Sequence, residues 1–169
     1  WEQLTNWQEE RSALETLVLY RNQIIFLLIY DAGLKVSEVS SLRIMSVYLH
    51  ENPRVLIVPQ KREPYSVPIL TFTAAVLETY LGLLKRRQHS QGINFDELLF
   101  NANPYSILAG GLSPRGIEML FEDWRSRLLI KMTPKELRQA AILRWLKDGR
   151  THEQVKEWMG VAPSYSLIL

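Results

Sequence analysis

The chain contains no cysteine among its 169 residues. That absence excludes disulfides, thiolate metal sites and a cysteine nucleophile, and it fits a reducing compartment such as the cytoplasm. Histidine is scarce as well: His50, His89 and His152 are the three present, and no combination of His, Asp and Glu has metal-ligand spacing, so no metal is expected. No apolar run approaches the length of a bilayer span. The longest, Ile24 to Tyr30, reads as a buried helix segment, and no membrane partner is expected. A strong charge of one sign is also missing, since 20 Lys and Arg face 18 Asp and Glu for a net charge of +2. Composition alone therefore does not announce a nucleic-acid partner. The first residue is Trp1 and no signal-peptide pattern follows, which leads us to expect a fragment of something longer or a processed product.

What is present is unevenly placed. Between Gly110 and Arg150 lie nine Lys or Arg against five Asp or Glu, and Lys85-Arg86-Arg87 forms a second basic cluster. Such clusters are ordinarily solvated helix faces. No repeat, low-complexity segment or linker divides the chain, so residues 1–169 are expected to form one domain with a full hydrophobic core.

Hydrophobic periodicity and helix punctuation order that domain. Thr5 and Gln8 form a capping-box pattern for a helix to about Leu19. A second helix is expected from Arg21 to Asp31, ending at Gly33, and Ser37 is placed to cap a short helix through Leu42. Val55 to Val58 and Tyr65 to Ile69 are β-rich runs on either side of Lys61-Arg62-Glu63-Pro64, the pattern of a hairpin with a charged tip. Thr73 starts a helix with Ala74, Leu77, Leu81 and Leu84 at core spacing. Phe95 to Phe100 reads as a short strand or turn before a polar, glycine-rich loop from Asn101 to Gly111. Ser113-Pro114 opens a helix to about Leu129 with the stripe Ile117, Leu120, Phe121, Trp124. Thr151 and Gln154 cap a last helix that stops at Gly160. The sum is an α+β domain, mainly α-helical, with a small antiparallel β-hairpin.

The most informative segment is Thr133-Pro134-Lys135-Glu136-Leu137-Arg138. Thr133 can cap a helix, Pro134 suits its first position, and Glu136 can complete a capping box. Arg138 then lies one turn inside, beside an apolar face of Leu137, Ala141, Ile142 and Trp145. An arginine held on a rigid helix can clamp a phosphate with two parallel hydrogen bonds, or it can serve as a surface salt-bridge residue. From this segment alone the surface salt-bridge reading is the expected one.

The order of motifs is similar to that of the tyrosine recombinases, the phage-integrase and Xer family. Ala32-Gly33-Leu34-Lys35-Val36-Ser37-Glu38 resembles the family's first signature, and the hairpin ending in Val67-Pro68-Ile69 its β-hairpin. Thr133 to Arg138 resembles the second signature, and Trp158-Met159-Gly160 the segment before the nucleophile. The resemblance covers nearly the whole chain as the catalytic domain, and by it the family's N-terminal DNA-arm domain is not expected within residues 1–169. It implies attack of a tyrosine on a DNA phosphodiester without metal or cofactor. In that chemistry two arginines stabilise phosphoryl charge, and a hairpin lysine and histidines move protons.

By that resemblance Arg138 is the second arginine, and Lys35 stands where the first is expected, keeping the charge but losing the fork. Lys135 takes the position of a histidine, and Val161 that of a later histidine or tryptophan. Gln60 falls at the hairpin-lysine position, which Lys61 would fill after a one-residue slip. The family tyrosine lies roughly nine residues past Val161, one step beyond Leu169; Tyr165 comes too early by that count. The catalytic set implied is thus Arg138, Lys35, Lys61 and Lys135.

Lys35, Lys61, Arg62, Lys135 and Arg138 are expected to form a shallow surface for double-stranded DNA. Further partners implied are a second recombinase, or the protein itself as an oligomer on DNA. Glu38 is expected to be a structural acid supporting Lys35 or a helix N-terminus. Three functions follow from these residues: a degenerate recombinase domain that binds DNA without cutting, an active recombinase with its tyrosine beyond Leu169, or a protein-interaction domain without DNA binding. The altered site positions favour the first, because residues that act together lose their rate together. The apolar ending Leu167-Ile168-Leu169 calls for burial in its own core or in a neighbour.

Overall fold

Apolar residues at helical spacing run without a glycine or proline from the N-terminal end to Tyr30, and the chain there folds as one helix. In the computed structural model, which describes residues 2–167 with side chains from Glu9 onward, α1 spans Glu2–Tyr30. The expected break between Leu19 and Arg21 does not occur, and Thr5 lies inside the helix rather than at its cap. Apolar periodicity continues across the junction, and a tertiary contact holds it. Arg21 turns inward, donates to the Phe100 carbonyl at 3.0 Å and to the Asn22 side chain, and sits over the Phe100 ring. Burial lowers its pKa from the usual arginine value. Among the described residues α1 is the one helix long and apolar enough to cross a membrane by composition, longer than the sequence reading allowed. Its Leu14, Leu17, Ile24, Ile25, Leu28 and Ile29 are buried in the core.

Gly33, at φ +62°, turns the chain into α2, Val36–Ser41. The N-cap is Lys35 rather than the expected Ser37, and Glu38 supplies the acid at the third helical position. After a 3₁₀ turn at Ile44–Ser46 come β1 (Val47–Tyr48), β2 (Arg54–Ile57) and β3 (Tyr65–Pro68). They form an antiparallel sheet in the order β1-β2-β3, with Val55 opposite Val67 and Ile57 opposite Tyr65. Period-two alternation puts Val55, Ile57 and Val67 on the buried face and leaves the tip between β2 and β3 in solvent.

α3 spans Thr71–Gln91 and starts two residues before the expected Thr73, ending at Gly92 with φ +66°. The Leu70 N–H at its N-cap donates to buried Asp31 at 2.7 Å, tying the helix to the end of α1. The expected loop after Phe100 is instead a second hairpin, β4 (Phe100–Ala102) with β5 (Ile107–Gly111). Its turn closes on the Asn103 side chain, which accepts the N–H groups of Tyr105 and Ser106 at 2.8 Å each. α4 spans Pro114–Leu128 with Ser113 as its cap, and buries Ile117 and Phe121 as the stripe requires.

α5 spans Pro134–Lys147. Thr133 accepts from the Glu136 N–H at 3.2 Å while Glu136 accepts from the Thr133 N–H at 2.9 Å, so both orphan donors are satisfied reciprocally. α6 spans His152–Trp158 behind the Thr151 cap. One core joins these elements, with Tyr80 of α3 fully buried and donating to the Leu98 carbonyl at 2.6 Å. The architecture is the α+β, mainly helical one expected, with two small antiparallel sheets in place of a single hairpin. Of the apolar ending, Leu167 packs against the core while Ile168 and Leu169 lie outside the described residues.

Candidate nucleic-acid interface

Three chain segments far apart in sequence meet where the α1–α2 turn, α5 and the end of α6 converge. Arg138 joins them. Its Nε donates to the Gly33 carbonyl at 2.7 Å and an Nη to the Met159 carbonyl at 3.2 Å. Half-buried, it thus holds the first and last signature segments against α5. Trp145, three residues after Ile142 on the same helix, closes the back of this junction. A Cβ on Gly33 would lie 2.7 Å from its ring, so only glycine allows the approach. Trp145 in turn meets Trp158 of α6 edge to face, with ring centroids 5.2 Å apart.

Two openings border the junction. The larger, of about 800 Å³, is lined by Lys35, Lys61, Arg62, Gln60, Tyr65 and Val161 among others. The smaller, of about 220 Å³, is lined by Lys135, Arg138, Gln139 and Ile142. Tyr165 lines both and is half-exposed. The five cations singled out in the sequence therefore gather on two neighbouring openings rather than on one continuous surface. Lys35, Lys61, Arg62 and Lys135 are solvent-exposed, whereas Arg138 is directed into the protein.

The acid of the first signature has a structural task. One Glu38 oxygen accepts the Lys35 N–H at 2.8 Å, at the N-terminus of α2, and the other accepts the Tyr65 hydroxyl at 2.7 Å. Burial, and then the bond to Glu38, push the Tyr65 phenol well above the ordinary tyrosine range, against the opposing pull of Arg138 and Arg62. Tyr65 was missed in the sequence. The available signal was strand alternation, since Tyr65 shares a face with buried Val67, but nothing in the pattern tells a tyrosine that fills a core from one that reaches a carboxylate.

The basic bias between Gly110 and Arg150 is largely absorbed by the fold. Arg144 donates to the Tyr30 and Asp31 carbonyls at 3.1 and 2.8 Å, covering the C-terminal end of α1. Arg125 donates to the Met132 carbonyl, Arg115 pairs with Glu118 and Glu122, and Arg127 pairs with Asp123. In the second cluster, Arg87 bridges the Glu10 and Tyr105 carbonyls. Clusters that look alike in sequence thus divide into carbonyl caps and surface pairs, and the cations facing the openings are a minority.

This architecture defines the class. The chain is a tyrosine recombinase-like domain with the fold of that family's catalytic domain. It is 28% identical over 151 residues to tyrosine recombinase XerC of Anoxybacillus flavithermus, covering 88% of this chain and 49% of the relative. It is 27% identical over 142 residues to tyrosine recombinase XerA of Pyrococcus horikoshii, covering 84% and 47%. Among solved structures, the XerA recombinase superposes with a TM-score of 0.69 at 23% identity, over 91% of this chain and 55% of the other. The XerH recombinase bound to its palindromic difH substrate gives 0.65 at 18%, over 92% and 44%. The Tn1549 transposon integrase in complex with circular-intermediate DNA gives 0.61 at 15%, over 92% and 56%. The chain spans about half the length of the curated relatives it matches. No family model matches it.

Proposed function

We propose that this domain binds double-stranded DNA in site-specific recombination and is impaired in strand cleavage, working in the cytoplasm as a tyrosine recombinase-like catalytic domain. The observation that carries the reading is the gathering of Lys35, Lys61, Arg62, Lys135 and Arg138 around two adjoining openings at the junction of both signature segments. Phosphate binding needs cations that water and DNA can reach, and four of these five are exposed. Similarly folded XerH and Tn1549 integrase form complexes with DNA, which supports a DNA partner.

Cleavage asks for more than positive charge. The transition state concentrates charge on phosphoryl oxygens, which a planar bidentate fork meets better than an ammonium does. Here Lys35 and Lys135 supply point charges, Val161 supplies no proton, and two nitrogens of Arg138 are engaged by the Gly33 and Met159 carbonyls. Groups that act as a unit lose most of their rate when several are replaced. Arg138 in this setting holds the site together and offers its remaining N–H groups to a phosphate.

Duplex binding followed by fluorescence anisotropy across a salt series tests the first part. Affinity is expected to fall linearly on logarithmic axes as salt rises, and a salt-independent affinity would sink the DNA reading. For the second part, the full-length protein is incubated with a nicked suicide substrate and resolved on a denaturing gel. No covalent adduct is expected. An adduct that disappears in Arg138→Ala would establish an active enzyme instead.

A further inference from the structure

Tyr65 occupies a position that neither its strand nor the chemistry assigned above requires. It sits at the start of β3, opposite Ile57, with its ring half-buried and its hydroxyl 2.7 Å from Glu38. The same carboxylate accepts the Lys35 N–H through its other oxygen at 2.8 Å. The same hydroxyl end of the ring lies against Gly160, where a Cβ would fall 2.5 Å from Cζ and from the hydroxyl oxygen. One phenol therefore touches the hairpin, the N-terminus of α2 and the turn after α6, and Lys35, Glu38, Tyr65 and Gly160 all line the larger opening.

We propose that Tyr65 is a positioning residue for Lys35: by donating to Glu38 it fixes the carboxylate that pins the Lys35 backbone, and its ring seats the Gly160 turn so that the opening keeps its shape. The consequence for DNA rests on the binding function proposed above; the geometry does not. A half-buried carboxylate with a hydrogen bond to each oxygen has one rotamer that satisfies both, and losing one donor frees it to swing. Lys35 is the N-cap of a helix of six residues, with no side-chain hydrogen bond of its own to hold that end. Its direction into the opening then depends on Glu38, and through Glu38 on the phenol. The raised affinity of Tyr65 for its proton keeps the hydroxyl a donor across the physiological range.

Two measurements test this. In Tyr65→Phe, which keeps the ring under Gly160 and removes the hydroxyl, hydrogen exchange of the Lys35 amide is expected to speed up by about tenfold, the effect of weakening one bond to a charged group. Glu38→Gln, which leaves one acceptor oxygen for two donors, should do the same while thermal melting shows both variants folded. Unchanged exchange in both variants overturns the proposal whether or not the protein binds DNA. The second measurement is a double-mutant cycle on duplex affinity. Tyr65→Phe is expected to lower the salt slope by about one unit alone and to have no further effect in a Lys35→Ala background. Additive losses would show that Tyr65 acts without Lys35 and would also overturn it. A wild-type protein that fails to bind DNA would sink the proposed function, leaving the exchange measurement to decide the role of Tyr65.

Discussion

The Arg138 junction and the hairpin tip bring cations to two neighbouring openings, yet they are built on opposite principles. Arg138 stands on a helix with a reciprocal cap, is backed by Trp145, and spends two nitrogens on backbone carbonyls. Lys61 and Arg62 stand on the turn between β2 and β3, exposed. The first is a structural tie that leaves part of its fork for a ligand. The second is exposed charge, which under the proposed function attracts a polyanion and which contributes little to the fold. Identical charges in one-letter code thus divide by whether a carbonyl or the solvent takes up their hydrogen bonds.

Mutations can break that comparison in order of expected effect. Trp145→Ala should destabilise the domain by about 3–5 kcal/mol, the cost of a large cavity under Gly33 and beside Trp158; urea denaturation measures it. Arg138→Ala should cost about 2–3 kcal/mol because it strands the Gly33 and Met159 carbonyls, seen as a lower urea midpoint before any DNA is added. If its midpoint matches the wild type, the junction is no tie and the contrast with the tip collapses.

Alkali offers a further test, because burial raises the pKa of both Tyr65 and Tyr80 above the ordinary tyrosine value. The unfolded chain releases those protons near pH ~10 while the folded one keeps them. The stabilisation is therefore complete below that pH and is lost progressively as pH rises from it toward the raised folded-state values. Denaturant midpoints should begin to fall near pH ~10 and keep falling at higher pH, and Tyr65→Phe should flatten the fall. Least affected in stability are Lys61→Ala and Arg62→Ala, expected within about 0.5 kcal/mol of wild type. Each should nonetheless lower the salt slope of DNA binding by about one unit.

Local chemistry was the legible part of this molecule. Thr133, Pro134 and Glu136 specify a helix start through bonds that close within four residues, and the structure has that start where the pattern places it. The hairpin of β2 and β3 follows from alternation around a charged turn, and Gly33 and Gly160, read as helix stops, both adopt positive φ. The resemblance carried by the two signatures likewise needed only their order. Less legible were α1, where a capping pattern at Thr5 was outweighed by continuous apolar periodicity, and the β4–β5 hairpin, whose turn depends on Asn103 folding back on its own backbone.

What the sequence determined by itself was most of the elements, the charges near the site and the family resemblance, because each rests on residues close along the chain. What only the tertiary structure decided was the use of those charges. Arg138 reaches Gly33, 105 residues away, and Arg144 reaches Tyr30, 114 residues away. A guanidinium's partner is fixed by whichever unsatisfied carbonyl the packed helices bring within about 3 Å, and that depends on the whole fold at once.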